Sequence, residues 1–297
     1  MIKRIIPRIE FKGPNLIKGL EFEGNRCLGT LDHTSNYYLQ QNETLADEIF
    51  YYDIVASLYE KRFNFEVFNK KKFISNIPVT FCGGFQNLDD IEKALEYGAD
   101  KVSINSFLFK DIRFLRDAVK KYGTPTIISN IEYYHDGNNY ILLTEYGRST
   151  VVNNIWDWIL ELQENGVGEI NLFDVKKDGY GEGVDIDSIN ELSREIKVPF
   201  IVGCGFGNKN HVHDVLKNTD CSGVSIASLF HYSINEKMNR NFASYDGPEL
   251  RSGKDIDSGN VEFIKNGYGG FKDLFVEPCN IKDLKEYLFS KNISVRI

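Results

Sequence analysis

Glu10 and Glu132 each close a short apolar run, IIPRIE and IISNIE, and lie 122 positions apart. Two carboxylates so placed, one protonated and one ionised, can work as a general acid and base on a ligand held between them. Two other matched pairs supply the means of holding it. PVTFCGGF, from Pro78, answers PFIVGCGF, from Pro199, and VSINS, from Val102, answers VSIAS, from Val224. Glycine lets a backbone approach an anion closely, and small residues that open a helix offer free N–H groups at the positive end of its dipole. Gly84 with Asn105 and Ser106, and Gly205 with Ala227 and Ser228, therefore read as two phosphate cradles. Such a pair suits a small molecule with a phosphate at each end.

For these residues to converge, the chain must bring the ends of its apolar runs to one face. Eight runs rich in β-branched residues lie near 4–10, 48–54, 78–82, 101–105, 126–132, 169–174, 199–203 and 223–227, and helical periodicity fills stretches between them. NLDDIEKALEYGAD, for example, opens on an Asn cap and ends at Gly98. Four matched segments recur at a spacing of 121 or 122 residues, which indicates a duplicated half. The expected fold is a (β/α)8 TIM barrel of two half-barrels, forming a single domain over 1–297, with its site at the carboxyl ends of the strands. A period so long excludes a helical array.

Two departures from the repeat stand out. Asp136-Gly137, inside YYHDGNNYILLTE, predicts a hairpin after the fifth barrel strand, on the same rim. A polar stretch of about 233–276 reads as a long insertion before the last helix, IKDLKEYLFSKN. At the opposite end, Arg4, Glu48, Lys101 and Glu169 stand at strand starts, where two bases and two acids can neutralise one another as a plug.

Composition narrows the class. The 297 residues carry 35 Lys and Arg against 43 Asp and Glu, with no basic block, so nucleic acid is a poor partner. Five cysteines without a CxxC pair read as reduced thiols, with no metal centre, in a cytoplasmic protein. No run of about 18 apolar residues is present to act on a membrane. Nothing in the residues calls for a cofactor.

RIIPRIEFKG…LIKG, DEIFYYDIVAS, FCGGFQNLDDIEKALEYGADKVSINS, VGEINLFDVKKDGYGEGVD, VPFIVGCGFGN and VSIASLFHY together resemble the cyclase subunit of imidazole glycerol phosphate synthase, over nearly the whole chain apart from 233–276. The resemblance implies a barrel that takes ammonia from a glutaminase subunit docked on its amino-terminal face. It would use that ammonia to turn a bisphosphorylated ribulosyl aminoimidazole carboxamide ribotide into imidazole glycerol phosphate and an aminoimidazole ribotide, a lyase step of histidine biosynthesis. By the same resemblance Arg4, Glu48, Lys101 and Glu169 become an ammonia gate and Asp100 a partner-facing acid. Lys18 becomes the lysine of the first loop, which folds over substrate, and Asp178-Gly179 joins the phosphate contacts.

The resemblance fails at the acid and base pair. The family has aspartate where this chain has Glu10 and Glu132, and a carboxylate displaced by about 1 Å can cost on the order of 100-fold in rate. Phe173 and Lys176 also depart from the family pattern. Two alternatives follow: a paralogue that channels ammonia to amidination of a nucleotide-linked sugar in surface-glycan synthesis, and a non-catalytic scaffold that binds a phosphorylated ligand.

Overall fold

The computed structural model describes residues 1–39, 45–68, 77–238 and 275–297. The first strand, β1 (Arg4–Lys12), runs on into an antiparallel hairpin, β2 (Asn15–Leu20) and β3 (Glu23–Thr30), before helix α1 (Leu31–Leu39). Then follow β4 (Ile49–Asp53), β5 (Val79–Cys82), helix α2 (Leu88–Glu96), β6 (Lys101–Ile104), and helices α3 (Ser106–Lys110) and α4 (Arg113–Tyr122). The second half repeats the opening: β7 (Ile127–His135) continues into the antiparallel strands β8 (Tyr140–Thr144) and β9 (Ser149–Val151), ahead of α5 (Ile155–Glu164). It finishes with β10 (Glu169–Asp174), α6 (Ile186–Ser193), β11 (Phe200–Gly203), α7 (Lys209–Asn218), β12 (Gly223–Ile226), α8 (Ser228–Met238) and α9 (Ile281–Ser290).

Strands β1, β4, β5, β6, β7, β10, β11 and β12 pair in parallel, and β12 returns to β1, so the sheet closes into a (β/α)8 barrel with no open edge. Strand alternation sorts the side chains into two cores. Ile5, Ile9 and Phe11 of β1 face out against the helices, while Ile6 joins Phe50, Ile128 and Ile201 inside the barrel. The Asn87 cap of α2 forms a reciprocal capping box with Asp90, as its sequence predicts. No described helix is long and apolar enough to cross a membrane.

Strands and helices do not alternate strictly. Between β4 and β5 the described residues form turns and one 3-10 turn, Phe65–Val67. Stacked aromatics fill that layer instead, with Phe63 and Phe68 at 4.7 and 4.9 Å from Phe81. The hairpin expected after the fifth barrel strand is present, with Tyr133 paired to Leu142 and His135 to Tyr140. Most of the expected insertion, 239–274, lies outside the described residues. Before it the chain is helical through Met238, and Phe275 to Cys279 lies along the barrel, bonded through Tyr180, Gly207 and Leu229.

One buried ion pair fastens the last helix to the barrel. Lys285 of α9 donates to Asp47 at 2.9 Å and to the Leu45 carbonyl at 2.6 Å, and Asp47 also accepts the Ile5 N–H at 2.8 Å. Removing one partner leaves a cation stranded in the core. Asp47→Ala is expected to lower the unfolding free energy by about 3–5 kcal/mol, measured by urea denaturation; a loss under about 1 kcal/mol would show that the latch is dispensable.

Candidate active site

The foot of the barrel is a ring of four charges, assembled from four strands. Arg4 contacts Glu48 at 2.9 Å and pairs with Glu169, while Lys101 reaches Glu48 at 3.1 Å and Glu169 at 3.4 Å. Thr80 donates to Glu48 at 2.6 Å, and Arg4 also donates to Ser222 at 2.9 Å. The two acids are buried, whereas the Arg4 and Lys101 side chains keep 25% and 21% of their exposure. Asp100 stands exposed beside this ring and accepts the Val79 N–H at 2.8 Å.

Further along the strands the lining is uncharged, with a polar cluster on one side and Ile6 and Phe50 on the other. Asn130 Oδ1 accepts from Ser103 at 2.8 Å, from Asn171 at 2.8 Å and from the Tyr52 hydroxyl at 3.1 Å. Asn171 Oδ1 and Ser225 Oγ are buried without a protein partner. Buried acceptors of this kind are rare, and they leave capacity for a small hydrogen-bonding guest. Tyr52 and Asn130 then line the floor of a cavity of about 240 Å3 that opens on the upper rim.

That cavity gathers the first predicted cradle. Gly83, Gly84, Asn105, Ser106 and Glu132 all line it, together with Asp53, Glu60, Glu145 and Lys110 and the rings of Phe85, Phe107 and Tyr146. Gly84 is required here twice over: its φ is +77°, and a Cβ would fall 2.4 Å from the Phe63 nitrogen. Glu132 accepts the Gly147 N–H at 2.9 Å. Burial pushes its carboxyl up to about 7, against the opposing pull of the Gly147 N–H, Asn105 and Arg8. Ser106 Oγ accepts the Glu145 N–H at 2.8 Å, which ties the cradle to the turn between β8 and β9.

The other half differs. Gly205, Ala227 and Ser228 do surround one pocket with Asp178 and Gly179, but its free volume is about 20 Å3. Arg8, which motif reading passes over, fills the space. Its guanidinium contacts Glu10 at 2.9 Å, Asp178 at 2.8 Å and Cys204 Sγ at 3.3 Å, over the Phe173 ring at 5.1 Å. Lys18 is buried beside it, 3.3 Å from Asp178. Burial raises the Glu10 carboxyl even against Arg8 and Lys18; for Asp178 burial works the same way, but Lys18 and Arg8 outweigh it and hold the carboxyl low. Strand alternation could have found Arg8, because it faces inward with Arg4, Ile6 and Glu10.

Lys18 sits on β2 of the first hairpin rather than on an open loop. The tips of both hairpins turn through left-handed residues without glycine at the central pair, Glu21-Phe22 and Glu145-Tyr146. Their rings, Phe22 and Tyr146, stack at 4.3 Å across the mouth. Gly179 permits the closure, since a Cβ there would fall 2.5 Å from the Gly19 carbonyl. Lys176 is exposed and pairs with Glu21 on the same lid.

A family described as histidine biosynthesis protein matches residues 4–235, the barrel with both hairpins. The chain belongs to that family. Among its family relatives is the imidazole glycerol phosphate synthase subunit HisF of Staphylococcus saprophyticus, 32% identical over 231 residues, which are 77% of this chain and 90% of that protein. The subunit of the same name from Chlorobium chlorochromatii is 32% identical over 232 residues, 78% of this chain and 91% of that protein. The family match stops at 235, inside α8, so 239–274 lies beyond it.

The Glu132 environment makes a pH test available. Its folded carboxyl keeps a proton to about 7 from an ordinary 4.5, so between those values the folded chain binds more protons than the unfolded one. Stability therefore falls as pH rises through that window. Relative to Glu132→Gln, which has no such titration, the native chain is expected to lose on the order of 3 kcal/mol between pH 4.5 and 8. Denaturant titrations at each pH check this; a pH-independent difference would place the Glu132 carboxyl in an ordinary, solvated setting.

Proposed function

We propose that this chain is the ammonia-using barrel subunit of a glutamine-dependent synthase of the imidazole glycerol phosphate synthase type. A glutaminase subunit docks on the foot of the barrel, around Asp100, and delivers ammonia at the ring of Arg4, Glu48, Lys101 and Glu169. The observation that carries this reading is the succession of polar layers from that ring to the Glu132 cavity. Above the charged ring the lining is neutral, so an ammonium ion would lose its hydration without a counter-charge, at a cost of several kcal/mol. Neutral ammonia meets hydrogen-bonding partners instead, Asn171 Oδ1 among them. A scaffold would have no use for such a path.

At the rim the ammonia nitrogen adds to an electrophilic carbon of the acceptor. The C–O bond of that carbon breaks, with its oxygen leaving as water or on an activating group carried by the acceptor, and the ionised form of Glu132 is placed to take the proton shed by nitrogen. Two acceptors fit the family. The geometry supports better the amidination of a nucleotide-linked sugar, because Arg8 holds Glu10 Oε1 at 2.9 Å and leaves only its buried Oε2 to act opposite Glu132. The cavity agrees with it. Aromatic walls suit a sugar ring, and Glu60 and Glu145 suit hydroxyls and a cationic amidine. Cyclisation of the bisphosphorylated ribotide in histidine biosynthesis is the second reading, favoured by the relatives, which are imidazole glycerol phosphate synthase subunits, and by the glycine turns at both cradles.

Two measurements separate these. Adding the chain to its glutaminase subunit is expected to raise glutamine hydrolysis by about tenfold or more, and Lys101→Met, which breaks the ring, should weaken that response. With the ribotide and saturating ammonium salt, turnover is expected to be undetectable. Turnover of the ribotide would replace the sugar reading with the cyclase, while loss of both effects would remove the ammonia function itself.

A further inference from the structure

The duplicated halves offer an internal comparison, since each position of one cradle has a counterpart 121 or 122 residues away in the other. Gly84 answers Gly205, Gly83 answers Cys204, and Ser106 answers Ser228. The backbone turns are alike: Gly84 has a φ of +77° and Gly205 one of +83°. Yet the free volumes are about 240 and about 20 Å3. The smaller space admits roughly one water.

Two substitutions between the halves account for the difference. Asn130, which organises the neutral layer under the open cavity, is answered by Arg8, and Ser57, which lines that cavity, is answered by Asp178. Arg8 and Asp178 meet at 2.8 Å, both almost fully buried. An Asp178 carboxylate thus takes the cations, Arg8 and Lys18, that an incoming phosphate would otherwise use. The far wall is fixed as well. A Cβ on Gly207 would fall 1.9 Å from the Gly181 carbonyl and 2.1 Å from that of Phe275, so three backbones touch there. Phe275 and Glu277 donate to Tyr180 and Gly207 at 3.1 and 2.7 Å and hold them together.

We infer that Arg8, with Asp178, is a specificity-determining residue: it fills the second cradle from within, so the chain engages acceptors through a single anionic end, at the Gly84 side. This rests on the ammonia-using reading for the occupant of the open cavity, and it narrows the acceptor to molecules with one phosphate or diphosphate end. A molecule with a phosphate at each end would have to displace a buried, hydrogen-bonded ion pair, and charge-assisted bonds are stronger than neutral ones.

Titration of the full chain with inorganic phosphate, followed by calorimetry and phosphorus NMR, tests this directly. One equivalent per chain is expected, and Ser106→Asp, which puts a carboxylate in the open cradle, should abolish it. Two equivalents in the native chain would overturn the inference and leave the ammonia path untouched. None would overturn it together with the assignment of the open cavity as a phosphate site. A second arm uses Arg8→Ala, with folding checked by circular dichroism. This variant is expected to bind the bisphosphorylated ribotide on the order of tenfold tighter than the native chain. Unchanged or weaker binding by the folded variant would show that Arg8 does not close the cradle.

Discussion

A guanidinium cannot be left unpaired inside a barrel, and the upper half of this molecule is organised around that constraint. Arg8 projects inward from β1 and is 2% exposed. Glu10, Asp178 and Cys204 answer from three different strands or loops, with Phe173 beneath. Each of these groups is thereby committed. Glu10 cannot serve freely as an acid or base, Asp178 cannot face an incoming anion, and Lys18 is drawn down with the first hairpin to complete the charge balance. Buried ion pairs are costly to assemble and more costly to break one side at a time. The cluster therefore behaves as one unit, and the second half of the rim closes with it.

The lid follows from the same cluster. Both hairpins turn through two left-handed residues that are not glycine, a conformation that costs about 1–2 kcal/mol per residue. That strain persists because the tips meet: Phe22 stacks on Tyr146, and Arg148 bonds to the Phe22 carbonyl at 3.3 Å. Stacked aromatics contribute about 0.5–1.5 kcal/mol beyond their burial. The Phe22 N–H also leans toward Asp178, at 3.5 Å. One hairpin from each half thus meets over the mouth, which repeats the internal two-fold of the barrel at its rim.

Much of this could be read in the residues. The 121 and 122 spacings located all eight barrel strands, because a parallel barrel strand needs a buried β-branched run and duplication repeats it. The foot ring was legible for the same reason: strand starts with charges on the inward register must neutralise one another. What escaped notice had weak local signals. The first hairpin lacks the Asn-Gly or Asp-Gly turn that marks such elements, its place being taken by Glu21-Phe22. The layer between β4 and β5 reads as apolar but packs as stacked phenylalanines without an α-helix among the described residues. Arg8 lay within a quoted motif and was hidden by it, since IIPRIE draws attention to its terminal glutamate. Only the contact with Asp178, 170 positions away, shows what Arg8 does.

The order of charges along the axis ties the two ends together. At the foot, two acids and two bases cancel, with the acids buried and the cations partly exposed. In the middle, Ser103, Asn130, Asn171 and Tyr52 carry no charge and hold one another through a single amide oxygen. At the top, burial keeps Glu132 near the neutral form at physiological pH. Cations are thus held at the foot and in the Arg8 cluster, and the layer between offers hydrogen bonds beside apolar Ile6 and Phe50. Of the two rim glutamates, Glu132 lines the cavity with its carboxyl raised by burial, while Glu10 Oε1 is held by Arg8.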